Sequence, residues 1–140
     1  MTDAGSYFSA NPSAQGTESG EFVNWDGVDP IEIVSGLRFQ PVLGNRVMVN
    51  FVSFEPNTEA PVHWHEEEQV SFVLDGEFEF ELAGEKRVVK RGQAVVIPPN
   101  VPHGARTRDS SCLEVDVFSP PRKALLEAMG VPPADDPSGP

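Results

Sequence analysis

Residues 62–82 read VHWHEEEQVSFVLDGEFEFEL, and the spacing within them sets both a fold class and a chemistry. Alternate residues of a β-strand share a face, so a strand through Val62-His63-Trp64-His65 puts both imidazoles on one side and Val62 and Trp64 on the other. Gln69 to Leu74 alternates again, with Val70, Phe72 and Leu74 on one face and Gln69, Ser71 and Val73 on the other. Asp75-Gly76 reads as a hairpin turn. Beyond it Phe78, Phe80 and Leu82 face inward and Glu77, Glu79 and Glu81 outward.

The same punctuation continues on both sides. Arg46 to Phe54 is a β-branched and aromatic run ended by Glu55-Pro56-Asn57, Arg87 to Lys90 and Gln93 to Ile97 follow the turns Ala83-Gly84-Glu85-Lys86 and Arg91-Gly92, and Cys112 to Phe118 closes the series. Phe22 to Leu43 predicts two or three more short strands. The one helical stretch is Pro120 to Met129, with Ser119 to cap it and Gly130 to end it. Many short strands with tight turns make an all-β sandwich or barrel with a short C-terminal helix. A small barrel has room for one ligand or metal in its mouth, lined by the inward half of each strand.

With 140 residues the chain is expected to hold one domain, over 21–130. Residues 1–20, rich in Ser, Ala, Gly, Asn and Thr, predict a flexible arm, and residues 131–140, with four prolines, a flexible tail. A formal net charge of -12 argues against nucleic acid and anionic membrane surfaces, which both need a basic footprint. One cysteine, Cys112, forms no internal disulfide, and with no spare histidine to activate it reads as a buried apolar residue. No basic start with an apolar run opens the chain, so neither a signal peptide nor a membrane span is expected, and a cytoplasmic location suits it.

The three histidines, His63, His65 and His103, are the whole histidine complement. Two imidazoles aimed into one space, with further N and O donors from nearby strands, bind a borderline divalent cation such as zinc, nickel or iron. A half-exposed pair on an edge strand is the alternative that His-x-His alone leaves open.

Taken together, Asn57, His63, His65, Gln69 and Gly76, followed across residues 77–91 by Gly92, Pro98, Asn100, His103 and Thr107, resemble the two sequence motifs of the cupin family. The resemblance covers about residues 45 to 120 and implies a jelly-roll β-barrel. It implies His63, His65 and His103 as metal ligands with Gln69 as a fourth, for a divalent ion, zinc foremost and nickel, iron or manganese otherwise. The strand of Gln69 is expected to pair with the His-x-His strand. Asn stands at positions 57 and 100 where the motifs have Gly, and Asn tolerates positive φ. Thr107 replaces a terminal Asn, and Gln69 replaces the usual glutamate ligand. The neighbouring Glu66, Glu67 and Glu68 remain as alternative carboxylate ligands. A neutral ligand set leaves the full dipositive charge on the ion, which suits Lewis-acid chemistry on a carbonyl better than oxygen activation.

In Cys112 to Phe118, Glu114, Asp116 and Phe118 share a face. If that face lines the cavity, Asp116 is a candidate base; the alternative is a solvent-facing carboxylate row. Arg122 just beyond is a candidate for binding an anionic group, for pairing with Asp116, or for the surface. The run Asp116 to Arg122, together with Gln69, resembles the pectin-degradation cupins that open unsaturated uronate rings. The chain as a whole resembles the single-domain cupin cyclases of aromatic polyketide biosynthesis, of the resistomycin type, and a mostly apolar interior favours that reading. It implies aldol cyclisation of a poly-β-ketone, a small-molecule substrate and a homodimer. A reading of another class is a non-catalytic cupin that binds a small ligand.

Overall fold

Inward and outward residues alternate strictly in the strand Met48–Phe54, where Met48, Asn50, Val52 and Phe54 are buried and the three between them are half-buried. The computed structural model describes residues 4–8 and 10–132. Among these, nine strands follow in order: β1 (Ile31–Val34), β2 (Leu37–Leu43), β3 (Met48–Phe54), β4 (Glu59–His63), β5 (Glu68–Leu82), β6 (Glu85–Lys90), β7 (Ala94–Ile97), β8 (His103–Arg106) and β9 (Cys112–Ser119). A helical turn, α1 (Ala4–Tyr7), precedes them and helix α2 (Lys123–Met129) follows. Of the arm expected over residues 1–20, α1 and a 3-10 turn at Pro12–Ala14 are the helical pieces; of the expected tail, residues 133–140 lie outside the described residues.

Every pairing is antiparallel, in the order β1-β2-β3-β9-β5-β8-β4, with β6 and β7 also on β5. The sheet curls toward a barrel because β5 serves two halves. Its first part pairs with β9 and β7, and its second with β6 and β8. Asp75-Gly76 is therefore not a hairpin but a bend inside one strand of 15 residues. The register against β9 slips between Val73 and Asp75, Gly76 adopts φ 79°, and a Cβ at Gly76 would collide with the carbonyl oxygen of Ser111. The slip also changes the inward parity from Gln69, Ser71 and Val73 to Phe78 and Phe80.

Two further expectations differ from the structure. The His63 strand pairs with β8, not with the strand of Gln69, and β8 is too short and too rich in Gly and Ala to read as a strand. The helix starts at Lys123, not Pro120: the residue before a proline disfavours helical backbone, so Pro120 ahead of Pro121 stays outside it. Ser119 donates to the Arg46 carbonyl at 3.2 Å and caps nothing, whereas Gly130 ends α2 in the left-handed region as expected. The positive φ anticipated for asparagine occurs at both Asn57 (52°) and Asn100 (63°).

The core lies between the two halves of the barrel, built on Leu37, Val52, Phe54, Val73, Phe78 and Ile97 among others. A second cluster, Met48 with Phe118, Leu125 and Leu126, seats α2 across one end. Burial of those leucines contributes about 2 kcal/mol each, which anchors a helix too short to persist alone. Cys112 is buried, and burial pushes its thiol up to about 12, so it is not a thiolate near neutral pH.

Candidate metal centre

His63 ends β4 and pairs in register with His103 at the start of β8, while His65 stands two residues past the strand end. The structure brings the three together, with ligand atoms within 4.8 Å of one another, and no Cys, Asp or Glu joins that group among the described residues. Trp64 points the other way and is exposed.

Each ring is fixed from behind in the same manner. The Nδ1 of His63 lies 2.8 Å from the Pro61 carbonyl, that of His65 3.0 Å from the Glu67 carbonyl, and that of His103 2.9 Å from the Val101 carbonyl. A carbonyl only accepts, so each Nδ1 carries the hydrogen and each neutral ring keeps its lone pair on Nε2. Burial, the Arg122 charge and His63 lower the pKa of His65 against the opposing pull of Glu67, and burial above all lowers that of His103 to about 4. Both rings are thus held neutral near pH 7, the form that ligates a metal.

Gln69, on the first half of β5, sends its Oε1 to 3.0 Å from His65 Nε2. Its orientation follows from the groups behind it. Ser71 Oγ donates to Asp116 Oδ1 at 2.6 Å, so its lone pairs face Gln69, whose Nε2 donates to them at 2.8 Å. The amide oxygen is left toward the histidines. Oε1 and the Nε2 lone pair of His65 are then two acceptors facing each other, and the Nε2 of His103 is buried without a partner. A cation among them satisfies all of these atoms at once, so the residues present fit a divalent ion with three imidazoles and one amide oxygen.

Glu66 and Glu68 are exposed, but Glu67 is buried. Its carboxylate sits on the Nδ1 side of His65 at 3.5 Å, accepts from the Lys123 backbone N–H at 2.6 Å, and lies 3.8 Å from Arg122. It holds the first turn of α2 and Arg122 in place, behind the histidines and not among them. Within the run of three glutamates, nothing in the sequence marks this one as buried.

A cavity of about 140 Å³ adjoins the histidines, walled by Phe39, Phe54, Phe78, Phe80 and Phe118 among others. Asp116 and Arg122 both line it; Arg122 pairs with Glu67, not with Asp116. Asn50 and Glu114 line it too, and sequence reasoning assigned neither a role. The signal for Asn50 was a polar residue on the apolar parity of β3, and for Glu114 its parity with Asp116. Burial, the Asp116 charge and a side-chain hydrogen bond with Asp116 raise the pKa of Glu114 well above the usual carboxylate range.

A family model described as Cupin domain matches residues 50–118. The pectin degradation protein KdgF of Dickeya dadantii (strain 3937) is 32% identical over 81 residues, which span 57% of this chain and 74% of that protein. The structure of KdgF from Halomonas sp. superposes with a TM-score of 0.72 at 33% identity, covering 77% of this chain and 100% of that one. The polyketide cyclase RemF from Streptomyces resistomycificus superposes with a TM-score of 0.65 at 25% identity, covering 72% and 80%.

Proposed function

We propose that this chain, which belongs to the cupin family, is a metal-dependent enzyme that opens the ring of an unsaturated uronate. The observation that carries the reading is that Asp116, Arg122, His63 and His103 meet on the wall of one cavity of about 140 Å³. A cavity of roughly 150 Å³ takes benzene, so the space suits a single ring. His63, His65, His103 and the Gln69 amide oxygen would hold a divalent ion, which when bound would supply Lewis acidity toward a substrate oxygen.

The chain's own groups cover the rest of the chemistry. Arg122 carries five donors and gives Glu67 only one edge, which leaves guanidinium N–H groups for a substrate carboxylate. Opening a cyclic hemiacetal enol ether is an isomerisation. A base takes the hemiacetal proton, the ring C–O bond breaks with its electrons going to the ring oxygen, and a proton returns to carbon as the enol becomes a ketone. Asp116, on the cavity wall, would take and return that proton. The phenylalanine walls exclude water from the exchange.

The likeness to KdgF over most of its length supports this reading. A second reading, aldol cyclisation of a poly-β-ketone with Asp116 as the base, is favoured by the aromatic lining and the likeness to RemF. The test is incubation of the metal-loaded full chain with a 4,5-unsaturated galacturonate, following loss of its conjugated absorbance. Turnover is expected, and is expected to vanish when His63 and His65 are both changed to alanine and to weaken in KM with Arg122→Ala. No turnover of the uronate alongside cyclised product from a poly-β-ketone thioester would move the assignment to the second reading. Ligand binding without turnover of either, persisting in the double histidine variant, would leave a non-catalytic binding cupin.

A further inference from the structure

Besides His103 Nε2, two buried polar atoms on the cavity wall lack any hydrogen-bond partner among the described residues and take no part in the relay behind Gln69. They are Asn50 Oδ1 and Glu114 Oε2, on side chains 1% and 3% exposed. Buried polar groups are nearly always paired, so two orphans lining one cavity point to a ligand that completes them. They are also neighbours. β3 and β9 pair with Asn50 opposite Asp116 and Val52 opposite Glu114, which places Asn50 and Glu114 diagonally on the same inward face.

We propose that Asn50 and Glu114 form a hydroxyl-binding subsite in the cavity, selecting substrates whose ring carries adjacent free hydroxyl groups. Both unpartnered atoms are oxygens able to accept: Asn50 Oδ1 is an amide oxygen and Glu114 Oε2 a carboxyl oxygen. Two acceptors side by side call for two O–H donors, which a sugar ring supplies from adjacent carbons. A poly-β-ketone chain offers carbonyl oxygens there, which would face acceptors with acceptors. The subsite thus rests on the uronate reading above and names the part of the substrate that lies away from the histidines. Rejection of a ring lacking those hydroxyls follows from the same physics, because binding it leaves both buried atoms unpaired.

The test is calorimetric titration of the metal-loaded full chain with two unreactive ring acids, D-galacturonate and tetrahydropyran-2-carboxylate, the latter without hydroxyl groups. The wild type is expected to prefer galacturonate by about tenfold or more. Asn50→Leu is expected to erase that preference while binding the hydroxyl-free acid as before and melting no lower, because it removes an unpaired buried acceptor. Glu114→Gln, which keeps an acceptor oxygen and a donor toward Asp116, is expected to retain the preference. If Asn50→Leu does not fold, Asn50→Ala is read in its place by the same preference. Equal binding of the two acids by the wild type, or a preference that survives loss of the Asn50 side chain, overturns the subsite and leaves the uronate reading standing. Binding of neither acid overturns both.

Discussion

Ser71 gives its only hydroxyl hydrogen to Asp116, at 2.6 Å across 45 residues of sequence, and by doing so fixes which atom of Gln69 faces the histidines. Asp116 thereby acts on the orientation of Gln69 toward the histidine cluster without touching either. In Asp116→Asn the new amide can donate to Ser71, whose hydroxyl then turns toward Gln69 and no longer enforces one amide orientation. Metal affinity is expected to fall about 10- to 100-fold, the usual effect of losing a group that orients a ligand. Ser71→Ala is expected to do the same. Competition against a chelator checks it: unchanged affinity in both variants would mean that the Gln69 amide is fixed by other contacts.

Glu67 stands on the far side of His65, where it accepts from Lys123 N–H and neighbours Arg122. Its removal should cost stability and not metal. Glu67→Ala is expected to lower unfolding free energy by about 2 kcal/mol through loss of the helix cap and of the partner of Arg122. Glu67→Gln, which can still accept from Lys123, is expected to lose less. Both should bind one equivalent of metal. A folded Glu67 variant that binds none would instead make this carboxylate a ligand.

What the sequence discloses here is what local periodicity and motif spacing can carry. The alternation through Phe78 and Phe80, the asparagines at positive φ, and the face that Asp116 shares with Glu114 were all legible because each depends on a few adjacent residues, whereas whether that face lines a cavity was not. The burial of Glu67 was not, because a helix 56 residues later decides it. Nor was the Gln69-Ser71-Asp116 relay, which exists only once β5 and β9 are in register. The continuity of β5 was hidden by a Gly that serves equally well in a turn or a bend. Its one trace in the sequence was the change of inward parity between Val73 and Phe78.

That bend is the basis of a stability prediction. Gly76 combines φ 79° with no room for a Cβ against Ser111, so Gly76→Ala imposes both backbone strain and a backbone collision. A loss of at least about 3 kcal/mol is expected, since the strand can relieve the clash only by giving up its pairing with β9 near Cys112. Denaturant unfolding measures it. A loss of less than about 1 kcal/mol would mean that the bend can be made elsewhere in β5.

The raised pKa of Glu114 makes the metal-free protein lose stability as pH rises above 4.5. Its folded pKa is raised by burial and by Asp116, so its contribution to stability is full below the ordinary value of 4.5 and is lost as pH climbs from there toward the folded value. His103 works in the opposite sense: its folded pKa of about 4 lies below the ordinary 6.5, so its contribution is full above 6.5 and is lost as pH falls toward 4. Glu114→Gln removes the first dependence and leaves the second, because an amide has no proton to release. The variant is therefore expected to gain on the wild type as pH rises above 4.5, while their acid limbs keep the same shape. Urea unfolding of the chelator-treated proteins across that range reads the difference. A stability gap that stays constant with pH would show that Glu114 is ionised in the folded chain.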